Sequence, residues 1–517
     1  MELSPQDMGL SREQFPDWRP GQWDIIQRIA NSDKRFILLQ APTGSGKSVL
    51  AWAVAKLRGE TALVNTVKRS LQLQYMQLPD TNYLWGKQNE RCFLWPSELS
   101  VDQAPCSLGA QCSAVHQCGY YVHRNEAVKS RVLVSNYYLT LFEANYSGRY
   151  TTGREWGICD EAHAIEDNIV SFVGIELDHE RVSEYLQWNT GVDVPSWKRW
   201  AVAMLPVVNQ LYKQQAADFS FTETGEYDAL SEQQRREYRA FKRLRTLRDK
   251  VENLSKVDET WYIELGKERV TIKPVWGASH TQDTLFRHFK RGLLMSATLL
   301  RGQVTAQLLG IPQDQYEYIE APMLFPRENR LVYYYNIARM GRKDRDKSIP
   351  KIIQAVDQII DAFPQGKGLV HCHSYELAEK LYHASRHAGG RVFLQKPGGT
   401  GMIEAMQHLT NSKQPLVVLS PTMEEGVDMP DVLSFQIIPV MPWPSLKDQR
   451  VRKRMELSPI WYNYATAMAL MQEVGRGVRN FTQVCPAYVL DSNFGHFYKD
   501  AQDLMPQTFK EAIVWHR

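Results

Sequence analysis

At 517 residues the chain is too long for one hydrophobic core, and three or four units are expected. A hydrophobic share of 43% and a charged share of 23% are those of an ordinary soluble globular protein, and no apolar run approaches membrane-spanning length, so a membrane partner is excluded. The net charge of +3 is close to balance and argues neither for nor against a polyanionic partner. Met1-Glu2-Leu3-Ser4-Pro5-Gln6-Asp7 lacks the basic-then-apolar build of a secretory signal, so a cytoplasmic location is expected, where disulfides are rare.

The first informative element is the apolar run Phe36–Leu39, which leads through Gln40 into Ala41-Pro42-Thr43-Gly44-Ser45-Gly46-Lys47-Ser48 and then into a helical pattern. A phosphate-cradling loop needs that order, with a strand to hold it and a helix N-terminus to face the anion. Ala41 stands where the usual pattern opens with glycine. Residues Ala41 to Ser48 are expected to bind a nucleoside triphosphate such as ATP, with Lys47 reaching the β- and γ-phosphates and the Ser48 hydroxyl ligating Mg²⁺. A second strand-like run, Ala62–Val64, follows.

Seven cysteines occur, and Cys92, Cys106, Cys112 and Cys118 fall close together. Structural zinc sites usually come as two close pairs, which this spacing is not. Four thiolates can instead hold a 4Fe–4S cluster. Zinc, or four unrelated thiols, stays open at this point, and His116 is read as a bystander. Cys159, Cys372 and Cys485 adjoin strand-like runs and read as buried thiols.

After Val132–Val134 comes Trp156-Gly157-Ile158-Cys159 and then Asp160-Glu161-Ala162-His163. Two carboxylates at a strand's C-terminal end lie where open α/β sheets bind ligands. Asp160 is expected to hold Mg²⁺ and Glu161 to polarise the attacking water. An acidic helix cap is the plainer reading of this box, and the upstream phosphate loop argues against it. Together they imply nucleoside-triphosphate hydrolysis.

Residues 171–275 are rich in Glu, Gln, Arg and Tyr with helical periodicity and predict a helical insertion. It carries a basic stretch of Arg235, Arg236, Arg239, Lys242, Arg243, Arg245, Arg248 and Lys250, either a solvated face or a contact with phosphate. Leu293–Met295 leads into Ser296-Ala297-Thr298, hydroxyls placed to relay between nucleotide and a second domain. Gly368–Val370, Leu416–Leu419, Phe435–Val440 and Ala487–Leu490 form a second strand set, and Glu424-Glu425-Gly426-Val427-Asp428 places an acidic loop after one of them. In Gln472-Glu473-Val474-Gly475-Arg476-Gly477-Val478-Arg479 two arginines three apart share a helical face, and their planar forks suit the spread charge of a phosphoryl transition state. Strands before and after about residue 325 predict two α/β domains rather than one sheet.

That order of motifs resembles the superfamily 2 helicases. The resemblance implies two RecA-like parallel-sheet motor domains that pinch ATP and Mg²⁺, with single-stranded nucleic acid running across both. Arg19-Pro20-Gly21-Gln22 is similar to the family's adenine-contacting segment, with Gln22 as the contact, and Gly426 and Asp428 are implied as nucleotide contacts. The loop that grips the strand backbone maps to Asn65, Thr66 and Ser70, and Asn136-Tyr137 also looks like a family segment. The position of the four cysteines, inside the first motor domain, resembles the XPD/DinG branch of iron–sulfur helicases. Cys118-Gly119-Tyr120-Tyr121-Val122-His123-Arg124 is similar to that branch's ending, with Gly119 replacing a proline, and Pro439-Val440-Met441-Pro442-Trp443-Pro444 resembles its proline-aromatic loop.

What this implies is a monomeric, cytoplasmic or nucleoid-associated ATP-dependent 5′→3′ DNA helicase acting on single-stranded and forked DNA, with a 4Fe–4S cluster on Cys92, Cys106, Cys112 and Cys118 beside a strand-separating pore. Tyr120, Tyr121 and Arg124 are the implied DNA contacts, with Phe93 and Trp95 as further stacking candidates. The expected domains are 1–88, 126–170 and 276–325 for the first motor domain, 89–125 for the cluster insertion, 171–275 for a helical arch and 326–517 for the second motor domain. The chain departs from the branch in a short arch and overall compactness, and nothing before Arg19 could be an exonuclease domain. Rival readings are an RNA helicase or remodeller, a zinc-bound translocase, a clamp that serves as scaffold, and a redox sensor. Lys47, Asp160, Glu161 and Arg476 together argue against a pure scaffold, and repair is one pathway among several left open.

Overall fold

The computed structural model describes residues 3–97, 99–104, 106, 112–147, 153–218, 232–421 and 432–516. Five strands open the chain: β1 (Phe36–Gln40), β2 (Ala62–Thr66), β3 (Thr81–Tyr83), β4 (Val132–Asn136) and β5 (Trp156–Asp160). A detour through β6 (Ile175–Asp178), β7 (Trp261–Leu265) and β8 (Arg269–Pro274) precedes β9 (Arg291–Ser296) and β10 (Tyr316–Glu320). The second half contributes β11 (Val332–Ala338), β12 (Gly368–His371), β13 (Val392–Leu394), β14 (Val417–Ser420), β15 (Phe435–Ile438), β16 (Ala487–Asp491) and β17 (Ile513–His516).

Two seven-stranded parallel sheets result, ordered β10-β1-β9-β5-β2-β4-β3 and β13-β14-β12-β15-β16-β11-β17. Central strands of such sheets are covered on both faces and therefore read as unbroken apolar runs. In β1, Ile37 and Leu39 enter one core with Val64, Val134 and Ile158, while Phe36 and Leu38 enter the opposite core with Leu63, Leu133 and Leu294. The edge strands β3, β10, β13 and β17 are only partly buried, and no continuous apolar run announces β3 or β10, whereas Val392–Leu394 and Ile513–Trp515 are short apolar runs.

Two excursions leave the first sheet. Residues between β3 and β4 carry the four clustered cysteines and end in the helix Gly119–Ala127. Between β5 and β9 the long helices Val194–Asp218 and Glu232–Ser255 pack on each other beside an antiparallel sheet ordered β6-β8-β7. Helical periodicity announces the helices but not this small sheet, whose β8 alternates exposed and buried positions. Trp197, Leu244, Val251, Leu254 and Ile272 give the excursion its own core. Among the described residues no helix is long and apolar enough to cross a membrane.

Candidate nucleotide site and the cleft between the sheets

The C-terminal ends of three adjacent strands set the site. Gln40 of β1 is level with Ser296 of β9, and Asp160 of β5 is level with Met295, so the phosphate-loop motif, the Ser-Ala-Thr segment and the acidic box open on one edge. Lys47 starts the helix Lys47–Arg58, and the turn before it runs through Gly44 and Gly46 at φ +80° and +79°, a left-handed backbone that glycine adopts without strain. The loop is packed from both sides. A Cβ on Gly46 would lie 2.7 Å from Gln22 Nε2, and one on Gly44 would lie 2.9 Å from both the Arg479 carbonyl oxygen and Phe325 Cζ. Gln22 Nε2 donates to the Gly46 carbonyl at 3.2 Å, and Gln22 Oε1 accepts from the Arg19 amide at 3.0 Å.

The acidic pair is held in two different ways. Asp160 is buried, and its carboxylate accepts from the Tyr75 hydroxyl at 3.1 Å and from the Glu161 amide at 3.0 Å. Burial, reinforced by the charge of Glu161 and opposed by Lys47, pushes the Asp160 carboxyl up to about 6. Glu161 adopts a left-handed backbone, φ +52°, unusual for a residue with a side chain. Burial would raise its carboxyl too, but Lys47, His163, the Ser296 hydroxyl and Arg476 outweigh that and hold it below its ordinary value.

From Glu161 a chain of hydrogen bonds crosses to the second domain. The Ser296 hydroxyl donates to Glu161 Oε2 at 3.2 Å and lies 3.3 Å from Thr298 Oγ1, and Gln472 Nε2 donates to Thr298 Oγ1 at 3.3 Å. His163 Nδ1 sits 2.8 Å from Ser296 Oγ. The helix Pro459–Val474 delivers Gln472 and ends at Gly475, and Arg476, buried, and Arg479, half-buried, follow it. Lys47, Ser48, Asp160, Glu161, Thr298, Gln472, Arg476 and Arg479 all line one cleft of about 530 Å³, within the usual range for a small-molecule site. Ala41 and Ser45 are buried in the loop behind it, while Pro42 and Thr43 reach the lining. Gly426 and Asp428 lie outside the described residues.

A second contact between the halves was not evident in the sequence. Arg454, on the helix Gln449–Leu457 of the second domain, is buried near two indoles, 4.5 Å from the Trp276 ring and 4.9 Å from that of Trp461. Its guanidinium donates to Glu166 Oε1 at 2.5 Å and to the Val275 carbonyl at 2.8 Å, and Arg450 donates to Asp167 Oδ1 at 2.6 Å. Glu166 belongs to the helix that follows the acidic box and is buried, so the box and the second domain are joined on this side as well.

The residues expected to contact nucleic acid differ in their surroundings. Thr66 is fully buried, its hydroxyl directed to the carbonyls of Lys68 and Ser135, and Tyr120 and Tyr121 pack into the core beneath the cysteine excursion. Arg124 covers the Tyr121 ring at 4.5 Å, and Phe93 is about half exposed. Ser70 lies on the helix Arg69–Tyr75, with its side chain outside the described residues.

None of these four cysteines is joined in a disulfide; Cys92 and Cys118 are buried, and Cys106 and Cys112 half-buried. The Tyr121 hydroxyl bonds the Cys106 thiol and feels Cys118, and burial followed by these thiols raises its pKa. Four thiols are the donor type that an iron–sulfur cluster would require. Yet among the described residues no group of three or more His, Cys, Asp or Glu side chains is gathered as metal ligands, and residues 107–111, between Cys106 and Cys112, lie outside the description.

Two seven-stranded parallel sheets around this cleft define the class as an α/β fold of the RecA-like kind. More particularly, residues 356–512 match the helicase C-terminal domain family, and the chain's structural neighbours are XPD helicases. Xpd4 of S. tokodaii covers 96% of this chain over 100% of its own length at 15% identity, with a TM-score of 0.59. A further XPD helicase structure, at 15% identity, covers 96% of this chain and 98% of its own with a TM-score of 0.58, and an apo XPD structure gives 0.57. At this identity the likeness is one of fold. No curated protein matches the chain by sequence.

Proposed function

We propose that this chain is an ATP-dependent DNA helicase that translocates 5′→3′ on single-stranded DNA and parts duplexes at forks. The hydrogen-bond chain Glu161–Ser296–Thr298–Gln472 carries the reading, because it joins the acidic box of one sheet to the arginine-bearing helix end of the other across a nucleotide-sized cleft. Lys47 and the loop from Ala41 to Ser48 take the phosphates, Ser48 and Asp160 hold Mg²⁺, and Gln22 positions the base. Glu161, kept ionised by its cationic surroundings, orients the attacking water. Arg476 and Arg479 stabilise charge on the transferring phosphoryl group. Strand movement follows from cleft closure and release in each cycle.

Cys92, Cys106, Cys112 and Cys118 would hold a 4Fe–4S cluster, which supplies a rigid cross-link to the excursion rather than chemistry on ATP. Cys106→Ser should lose iron and unwinding while retaining part of the ATP turnover. Full unwinding by an iron-free protein would remove the cluster from the scheme.

The test of the whole reading is strand displacement by anaerobically purified protein on duplexes with a single 5′ or 3′ tail. Opening only from the 5′ tail is expected. Opening only from the 3′ tail reverses the polarity and turns attention to zinc, and ATP turnover stimulated by RNA but not DNA makes the chain an RNA helicase.

A further inference from the structure

On the far side of the β5–β9 excursion lies a second cavity, about 400 Å³, distinct from the nucleotide cleft. Its walls are the helix Glu232–Ser255, strands β6 and β8 and the short helix His179–Ser183 that follows β6. Six cationic side chains line it: Arg181, Arg239, Lys242, Arg243, Lys250 and Arg269. Only Glu176 and Asp178 oppose them in the lining, and counting Glu184, which pairs with Arg243 at 3.6 Å, the cavity keeps an excess of three positive charges. The Arg269–Glu176 pair, at 3.3 Å, involves side chains about half exposed and neutralises little of this field.

The crowding shows on Lys250. Its ammonium donates to the Glu176 carbonyl at 2.6 Å, and burial lowers its pKa, with Arg181 and Arg269 adding to the fall and the Glu176 and Asp178 carboxylates opposing it. A protein that gathers more cations than carboxylates in one hollow, at an electrostatic cost, has built a place for an anion. The basic stretch legible in the sequence contributes only part of it. Arg239, Lys242, Arg243 and Lys250 face the cavity, whereas Arg248 is spent on Asp249 at 2.6 Å and on the Tyr212 ring at 4.1 Å. Arg181, on the short helix His179–Ser183, and Arg269, at the start of β8, complete the set.

We propose that this cavity binds phosphate groups, and that their source is the backbone of the nucleic-acid strand on which the motor acts. The second clause rests on the helicase reading, and the first does not. Guanidinium forks from two walls suit phosphate oxygens better than a single point charge does. The four helix residues span about 16 Å at the rise of an α-helix, long enough to follow two or three consecutive phosphates.

The test compares Arg239→Ala/Lys242→Ala with Arg236→Ala/Arg245→Ala, a control that removes the same charge from the same helix outside the cavity lining. Single-stranded DNA binding is titrated over a range of salt, and inorganic phosphate is titrated in thermal unfolding. For the cavity variant the salt slope should become shallower by about 0.7 for each phosphate that the protein no longer neutralises, while the control keeps the parental slope. Equal slopes, with phosphate stabilisation abolished only in the cavity variant, would keep the phosphate site but assign it to a small phosphorylated ligand. Variants indistinguishable in both titrations overturn the proposal. If the parent protein binds no strand at all, the helicase reading fails, and the phosphate titration alone decides the cavity.

Discussion

Asp160 and Glu161 are consecutive carboxylates with opposite electrostatics. Burial and the charge of Glu161 push Asp160 up, while Lys47, His163 and Arg476 pull Glu161 down against its own burial. A pair split in this way suits two tasks, one group waiting for a divalent cation and the other ionised toward water. Glu161→Gln keeps the shape and removes the charge. We expect ATP to bind with little change while turnover falls about 10²- to 10³-fold, read as kcat against KM in a steady-state ATPase assay. Lys47→Ala should instead abolish turnover with single-strand binding retained, and turnover near the parental rate would displace the loop from the nucleotide site. Both positions are legible in the sequence, because loop, strand and helix signals coincide there. Tyr75 is not: it reaches Asp160 through a contact made by folding, and no spacing marks it, whereas His163 closes the acidic box in the sequence and only its contact with Ser296 waits for the fold.

The helix Gln449–Leu457 makes a connection of another kind. Arg454 and Glu166 are 288 positions apart in the chain and meet in a pocket walled by Trp276 and Trp461. Removing one partner of a buried pair leaves the other charged and desolvated, which typically costs about 3–5 kcal/mol. Arg454→Ala should therefore lower the thermal unfolding midpoint by several degrees, and adding Glu166→Gln should restore part of the loss. A midpoint unchanged in the single variant would mean that water reaches Glu166. No periodicity could have announced this pair, since a helix with arginines at 450, 452 and 454 reads as a solvated face. Strands followed the same logic. Those covered on both sides, such as β1, β5 and β9, appear as unbroken apolar runs, but β3 and β10 gain their place only by pairing at an edge. The small sheet β6-β8-β7 was hidden because its alternation lies within a segment dominated by long helices.

Two sheets share one cleft, so ligand binding there should register on both. A non-hydrolysable ATP analogue with Mg²⁺, at about 100 times its Kd, should contribute about 2.7 kcal/mol to the folded state and raise Tm for the chain as one transition. A shift confined to one of two separable transitions would show that the second domain does not take part in holding the nucleotide, and Lys47→Ala should show none. The two-domain plan was readable from strand runs on either side of residue 325. The meeting of the domains was less so, because it depends on Gln472, Phe325, Arg454 and the Arg479 backbone arriving at surfaces set by distant strands.

At Gly44 that meeting is narrowest. The loop backbone there leaves no room for even one methyl group before the Arg479 carbonyl and the Phe325 ring. The loop thus serves as a bearing surface as well as a cradle: a displacement of its backbone by a fraction of a bond length is handed to the opposite sheet by repulsion, with no lever or charge between. Adding a methyl at this point would act as a shim between the halves and, at φ +80°, would strain the loop that carries it.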